Sequence, residues 1–117
     1  MRKYCRQAIL ENFFEPCILY LLLKKPSYGY ELSKNLKEHC ECDVNIGNLY
    51  RGLNRLTKDG YITKEKTKSA IGPTKIVYTI TEPGKNYLRT WIESLKKQTE
   101  TIGKLITNYY HNYETGN

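Results

Sequence analysis

The segment from Asn45 to Gly60 carries side chains that proteins use to bind nucleic acid. At 3.6 residues per turn, Asn48, Arg51, Arg55 and Lys58 would project from one face of a helix. Asn and Arg side chains hydrogen-bond to base edges in a major groove, and cationic side chains bind phosphate oxygens. An ordinary solvated helix face has a similar composition, so the segment alone leaves both interpretations open.

The opposite face of this segment is apolar. A stripe of apolar residues recurs at steps of three, four and three residues, which is typical of a helix that packs on a core. Its members are Ile46, Leu49, Leu53 and Leu56. We expect Asn45 to cap the start of the helix and Gly60 to supply the left-handed residue that ends it.

The segments before and after this helix predict the elements that position it. Helical spacing extends from Tyr4 to Lys24, and a second helix is expected from Tyr28 to about His39, with Ser27 as its cap. Thr81 is expected to cap a last helix, whose first turn contains Glu82 and Pro83.

Between Gly60 and Thr81 the pattern changes to that of a two-stranded hairpin. The strands are expected within Tyr61–Lys68 and Lys75–Ile80, joined by a Gly-Pro turn. An isolated two-stranded ribbon is marginal in water, so its apolar side chains should pack against the helices. The inward candidates are Tyr61, Ile62, Ile76, Tyr78 and Ile80, and the basic residues are Lys64, Lys66, Lys68 and Lys75.

Three helices followed by a hairpin are typical of a winged helix-turn-helix, which is mainly α with a small β-hairpin. In that arrangement the second helix supports the third, the third helix enters the major groove of DNA, and the hairpin contacts the adjacent DNA backbone. We assign residues 1–80 to this DNA-binding domain and residues 81–117 to a C-terminal dimerisation helix.

Composition agrees with an anionic partner. The 117 residues include 19 Lys and Arg against 12 Asp and Glu, a net charge of +7. The longest apolar run, Cys17–Leu23, is too short to cross a bilayer, and no export signal follows Met1. We therefore expect a cytoplasmic protein with no membrane partner, in which the four cysteines are mostly reduced.

Three blocks of the sequence resemble the PadR family of bacterial transcriptional regulators. They are Pro26–Leu32, Gly47–Ile62 and Lys75–Lys85, in the family's order and spacing. The resemblance implies a homodimeric repressor that binds a double-stranded DNA operator and responds to a small, often aromatic, effector. The chain departs from the family pattern at Arg51, where proline is common, and its short C-terminal arm resembles the smaller branch of the family.

The candidate sites follow from the fold and the resemblance together. Tyr28 and Tyr30 could hold a phosphate or pack in the core, and Tyr50 could lie near DNA or be half-buried. Trp91, the only tryptophan, suits a dimer interface and also the stacking of a flat aromatic ligand. The predicted DNA contacts are Asn45, Asn48, Tyr50, Arg51, Arg55, Lys58, Tyr28, Lys68 and Lys75. The residues expected at an effector or dimer interface are Leu88, Trp91, Leu95 and Ile102.

Cysteines beside a histidine offer an alternative regulatory chemistry. His39, Cys40 and Cys42 are donors that bind soft or borderline metals, and a metal- or thiol-responsive repressor would sense through Cys40 and Cys42. The string provides too few donors for a closed four-ligand site, and reduced cysteines are usually packing residues. No metal or cofactor is therefore assigned.

Two further classes of function fit the sequence less well. A protein-interaction module could keep the winged-helix shape without binding DNA, although the basic face argues against it. An enzyme is disfavoured because the sequence contains no nucleophile–base pair, phosphate-cradling glycine loop or convergent carboxylate pair.

Overall fold

The computed structural model describes residues 13–40, 44–67 and 72–114. Residues 4–12 of the helical segment predicted from Tyr4 to Lys24 lie outside these residues, and the described helix begins at Phe14. The elements in chain order are α1 (Phe14–Lys24), β1 (Ser27–Tyr28), α2 (Gly29–Cys40), α3 (Ile46–Lys58), β2 (Ile62–Thr67), β3 (Lys75–Ile80) and α4 (Glu82–Tyr109), followed by a π-helical turn (Tyr110–Glu114).

The sheet has three strands where the sequence predicted two. Its order is β1–β3–β2 with antiparallel pairing, and Ser27 of β1 pairs with Tyr78 of β3. The prediction that Ser27 caps α2 was wrong, because this buried residue lies in the sheet and donates its hydroxyl to the Lys25 carbonyl at 3.2 Å. The Glu31 carboxylate instead accepts from the backbone N–H of Tyr28 at 2.9 Å. The added strand ties the hairpin to the start of α2.

The core forms where α1, α2, α3 and the sheet meet. Its fully buried side chains are Ile18, Leu19, Leu22, Leu32, Leu36, Leu49, Leu53, Leu56 and Ile62. Three members of the predicted α3 stripe are therefore confirmed, but Ile46 is 60% exposed. Ile46 is the first residue of α3, and helical side chains point toward the N-terminus, so this one projects beyond the packed layer.

The hairpin packs only at the end near the helices. Tyr78 and Ile62 are buried, and Ile80 packs against the core. The inward placement predicted for Ile76 was wrong, because it pairs with Lys66 toward the far end of the hairpin and is 39% exposed.

The predicted caps of α3 and α4 are confirmed. The Asn45 side chain accepts from the Asn48 backbone N–H at 2.8 Å, and Gly60 has a φ of +83°. The Thr81 hydroxyl oxygen accepts from the Gly84 N–H at 3.1 Å and donates to the Gly60 carbonyl at 2.7 Å. The end of α3 is thus fastened directly to the start of α4.

At Gly84, the start of α4 passes close to the backbone of the residue that precedes β2. A Cβ at this position would lie 2.0 Å from the backbone oxygen of Tyr61. We therefore expect Gly84→Ala to lower the free energy of unfolding by about 1–3 kcal/mol, as overpacking does. Urea denaturation at one protein concentration measures the change.

Gly103 is the matched control for this substitution. It lies in the same helix, and a Cβ there meets nothing within 4 Å. Gly103→Ala should stabilise the chain by up to about 1 kcal/mol, since alanine is the better helix former. Equal stability of the two variants would contradict the predicted clash.

Helix α4 extends well beyond the body of the fold. Its 28 residues span about 42 Å at 1.5 Å per residue. The radius of gyration is 17.9 Å, whereas about 13 Å is expected for a compact domain of this length. Gly84 and Leu88, near its start, are the α4 residues that are buried. Most of α4 therefore has no packing partner among the described residues.

Candidate nucleic-acid interface

The outer face of α3 presents Asn48 and Arg51 together. Both side chains are exposed, and Arg51 Nη2 donates to Asn48 Oδ1. Lys58 is the last residue of α3 and is also exposed. The Asn45 side-chain oxygen is already engaged as the helix cap. The face therefore carries an amide–guanidinium pair above a buried leucine stripe, a geometry suited to base edges.

Arg55 has an intramolecular partner that the sequence did not predict. Its Nη2 donates to Glu15 Oε2 in an ion pair, although the Arg55 side chain is still 54% exposed. Glu15 lies in the first turn of α1 and is 5% exposed. The available sequence signal was one carboxylate within an apolar run, but acidic residues are common in the first turn of helices. Arg55 thus lies at the interface of α1 and α3, with about half of its side chain in solvent.

A cleft forms where α2, α3 and β3 meet. Its volume is about 280 Å³, and its lining is Tyr28, Gly29, Tyr30, Tyr50, Thr74, Lys75, Ile76 and Tyr78. We call it the tyrosine cleft. Lys75 Nζ lies 5.2 Å from the centroid of the Tyr28 ring, and a Cβ on Gly29 would lie 2.5 Å from the Tyr50 hydroxyl oxygen. Burial, with a smaller contribution from Tyr50, raises the pKa of Tyr78.

The side chains that line this cleft can donate hydrogen bonds to an anion. Tyr28 is half-buried, and Tyr30 and Tyr50 are exposed. Phenol hydroxyls and the Lys75 ammonium are hydrogen-bond donors to phosphate oxygens. The ring of Tyr50 packs beside Gly29 while 40% of the residue remains exposed, and its proximity to DNA stays a prediction.

The hairpin adds exposed cations next to this cleft. Lys64 and Lys66 on β2 and Lys75 on β3 are exposed. Lys68, also predicted to contact DNA, lies outside the described residues.

The second predicted site lies on α4. Its exposed or half-buried apolar residues, which we call the α4 apolar face, are Trp91, Ile92, Leu95, Ile102, Leu105 and Ile106. Leu88 was expected at an effector or dimer interface, but it belongs to the chain's own core, because the first turns of α4 pack against the winged-helix domain.

Two open grooves run along this helix. One of about 220 Å³ is lined by Tyr87, Thr90, Trp91 and Ser94, and we call it the Trp91 groove. The other, of about 460 Å³, is lined by Ser94, Lys97, Gln98, Thr101 and Ile102. Tyr87 stacks on Tyr61 with ring centroids 4.1 Å apart and meets Trp91 edge-on at 6.5 Å. The Trp91 groove therefore combines aromatic rings with hydroxyl groups.

The alternative cysteine site is only partly described. His39 is exposed at the end of α2, Cys40 is half-buried and Cys17 is in the core, while Cys42 lies outside the described residues. Within the part of the chain that the structure describes, no three His, Cys, Asp or Glu side chains converge to hold a metal ion. None of the described helices is both long and apolar enough to cross a bilayer.

Comparison with known proteins places this geometry in a family. Residues 18–90 match the model of the PadR-like family of transcriptional regulators. The negative transcriptional regulator PadR of Bacillus subtilis is 31% identical over 87 residues, covering 73% of this chain and 48% of that protein. The chain thus spans about half the length of that relative.

Solved structures share the fold over most of the chain. A PadR-like transcriptional regulator from Bacillus cereus has a TM-score of 0.74 and 32% identity, covering 85% of this chain and 96% of that one. Bacillus subtilis PadR in complex with operator DNA has a TM-score of 0.61 and 31% identity, covering 67% of this chain and 45% of that one. A winged helix with a long C-terminal helix, matched in sequence over most of its length, identifies this chain as a member of the PadR-like family of transcriptional regulators.

Proposed function

We propose that the protein is a homodimeric transcriptional repressor that binds operator DNA in a sequence-specific manner. The observation that carries the proposal is the exposed Asn48–Arg51 pair on α3, which is held on the core by the buried leucines behind it. Bacillus subtilis PadR, whose fold matches 67% of this chain, is solved in complex with operator DNA, which supports DNA binding as the function.

Each part of the interface has a separate task in this proposal. Asn48 and Arg51 bind base edges, which gives sequence specificity. The tyrosine cleft and the hairpin lysines bind phosphates, which sets the register on the duplex. Arg55, whose side chain is partly exposed, contributes a cation, and Lys58 at the end of α3 binds the DNA backbone.

Dimerisation and effector binding belong to α4 in the same proposal. Ile92, Leu105 and Ile106 are exposed on a helix that leaves the body of the fold, and a second copy of the chain would bury them. The Trp91 groove suits a small planar aromatic effector, because Trp91 and Tyr87 offer ring surface and Thr90 and Ser94 offer hydroxyls.

Base recognition by Arg51 is the direct test of this function. Arg51→Ala should weaken binding to the preferred duplex by about 1–3 kcal/mol and relax the preference at one base position. The preferred duplex is selected from a random pool, and affinities are measured by fluorescence anisotropy on all four bases at each position.

Lys58→Ala is the control for Arg51→Ala. Loss of a phosphate contact should weaken binding to all sequences alike and leave the selected sequence unchanged. An Arg51→Ala protein with unchanged base preference would contradict the proposed readout. Failure of the unmodified chain to bind any duplex at low salt would favour the protein-interaction alternative.

A further inference from the structure

Glu15 is a buried carboxylate that the proposed DNA contacts do not use. It and Ser27 are the buried polar or charged residues among those the structure describes. A carboxylate removed from water is costly unless charged or hydrogen-bonding partners replace the lost hydration. The hydrogen-bond and ion-pair partners of Glu15 therefore determine whether its carboxylate can be buried.

The two oxygens of Glu15 serve different helices. Oε2 accepts from Arg55 of α3, and Oε1 accepts from the Tyr87 hydroxyl of α4 at 3.3 Å. These partners are 40 and 72 residues away in sequence. One carboxylate in α1 thus joins the helix proposed to enter the groove of DNA to the helix proposed to dimerise.

Tyr87 connects the same carboxylate to the Trp91 groove. Its ring lies between Tyr61, stacked at 4.1 Å, and Trp91, whose ring centroid is 6.5 Å away. Tyr87 also lines the groove itself. Burial of Tyr87 raises its pKa, so the hydroxyl remains a donor at neutral pH. A movement of Tyr87 in the wall of the Trp91 groove would therefore change its hydrogen bond to Glu15 directly.

We propose that Glu15 is a positioning residue for DNA recognition. Its carboxylate holds Arg55 more or less tightly, depending on whether Tyr87 also donates to it, and so controls how available the Arg55 guanidinium is to DNA. This inference rests on the proposed function. With Tyr87 donating, Oε1 is satisfied and Arg55 is shared between Glu15 and solvent. When Tyr87 turns away, the buried carboxylate keeps one donor, and Arg55 is drawn onto it and away from the duplex.

The first test compares DNA affinity in the full chain with and without Arg55. Tyr87→Phe removes the hydroxyl and keeps the ring, so it should weaken DNA binding by about two- to thirtyfold. In an Arg55→Ala background the same substitution should have no effect, because the side chain it acts through is absent. Tyr61→Phe, which keeps the stacked ring and leaves the Tyr87–Glu15 bond intact, is the matched control.

The second test uses Trp91 as the reporter. Coupling between two sites is reciprocal, so DNA binding must alter the groove if the groove alters DNA binding. Trp91 is the only tryptophan, and its emission therefore reports on this groove alone. At saturating duplex, the emission of the wild type and of Tyr61→Phe should change, and that of Tyr87→Phe and Glu15→Gln should not.

The outcomes separate this inference from the proposed function. If the wild type binds DNA but Trp91 emission stays constant, or if all variants show the same change, the positioning role of Glu15 is overturned. Equal losses of affinity for Tyr87→Phe with and without Arg55 would also overturn it. If the wild type binds no duplex, the proposed function fails and this inference fails with it. Circular dichroism of each variant verifies that it is folded.

Discussion

The Ile106→Glu protein is expected to be a monomer and to bind operator DNA about 10²–10⁴-fold more weakly than the wild type. Ile106 is 50% exposed on the α4 apolar face, and a glutamate there would bury a carboxylate in the proposed dimer interface. Without the dimer, two winged-helix domains lose the effective concentration that lets both bind one operator. This loss exceeds the effect expected from any single DNA contact.

Thr107→Glu is the control for the dimer prediction. It introduces the same charge at the adjacent position, which turns about 100° away from Ile106 around the helix. Light scattering after size exclusion measures the mass, and anisotropy titration measures the DNA affinity. A dimeric Ile106→Glu protein, or a monomeric Thr107→Glu protein, would contradict the assignment of the α4 apolar face to dimerisation.

DNA binding by the wild type should depend steeply on salt. A dimer that makes about 6–10 phosphate contacts should lose about 10³–10⁵ in affinity between about 50 and about 200 mM salt. The net charge of +7 per chain and the exposed lysines of the hairpin favour such a contact number. The physical cause is the release of counterions from the duplex as each phosphate is neutralised.

Lys75 tests the origin of that salt dependence. Lys75→Gln should reduce the slope of log affinity against log salt by about 2, one phosphate contact in each subunit, and weaken all sequences alike. Lys104→Gln removes the same charge from an exposed position far along α4 and should leave the slope nearly unchanged. An affinity insensitive to salt would contradict phosphate binding by the cleft and hairpin.

Local features of this protein were predictable because they depend on neighbours in the chain. The α3 helix follows from the spacing of its leucines, and its ends follow from Asn45 and Gly60, whose geometry the structure confirms. The Thr81 cap and the hairpin strands are local in the same way. The exposed pair of Asn48 and Arg51 was also predictable, because two residues three apart lie on one helix face.

Interactions between distant residues were not predictable from spacing. Ser27 was expected to cap a helix, but it pairs with Tyr78 in the sheet. Leu88 belongs to the same apolar spacing as Ile106, yet one is buried in the chain's own core and the other is exposed. The periodicity of a helix identifies an apolar face, but the length of the neighbouring elements decides how much of that face is covered.

The sequence by itself determined the winged-helix class, the face of α3 and the family, because these depend on local spacing, capping and ordered sequence blocks. Only the tertiary structure decided that Arg55 contacts Glu15 and that Tyr87 contacts it from the other side. No local pattern specifies such pairs, because they arise when three helices pack around one buried carboxylate. The residues proposed to bind DNA could thus largely be predicted from the sequence, whereas the residue proposed to position Arg55 could not.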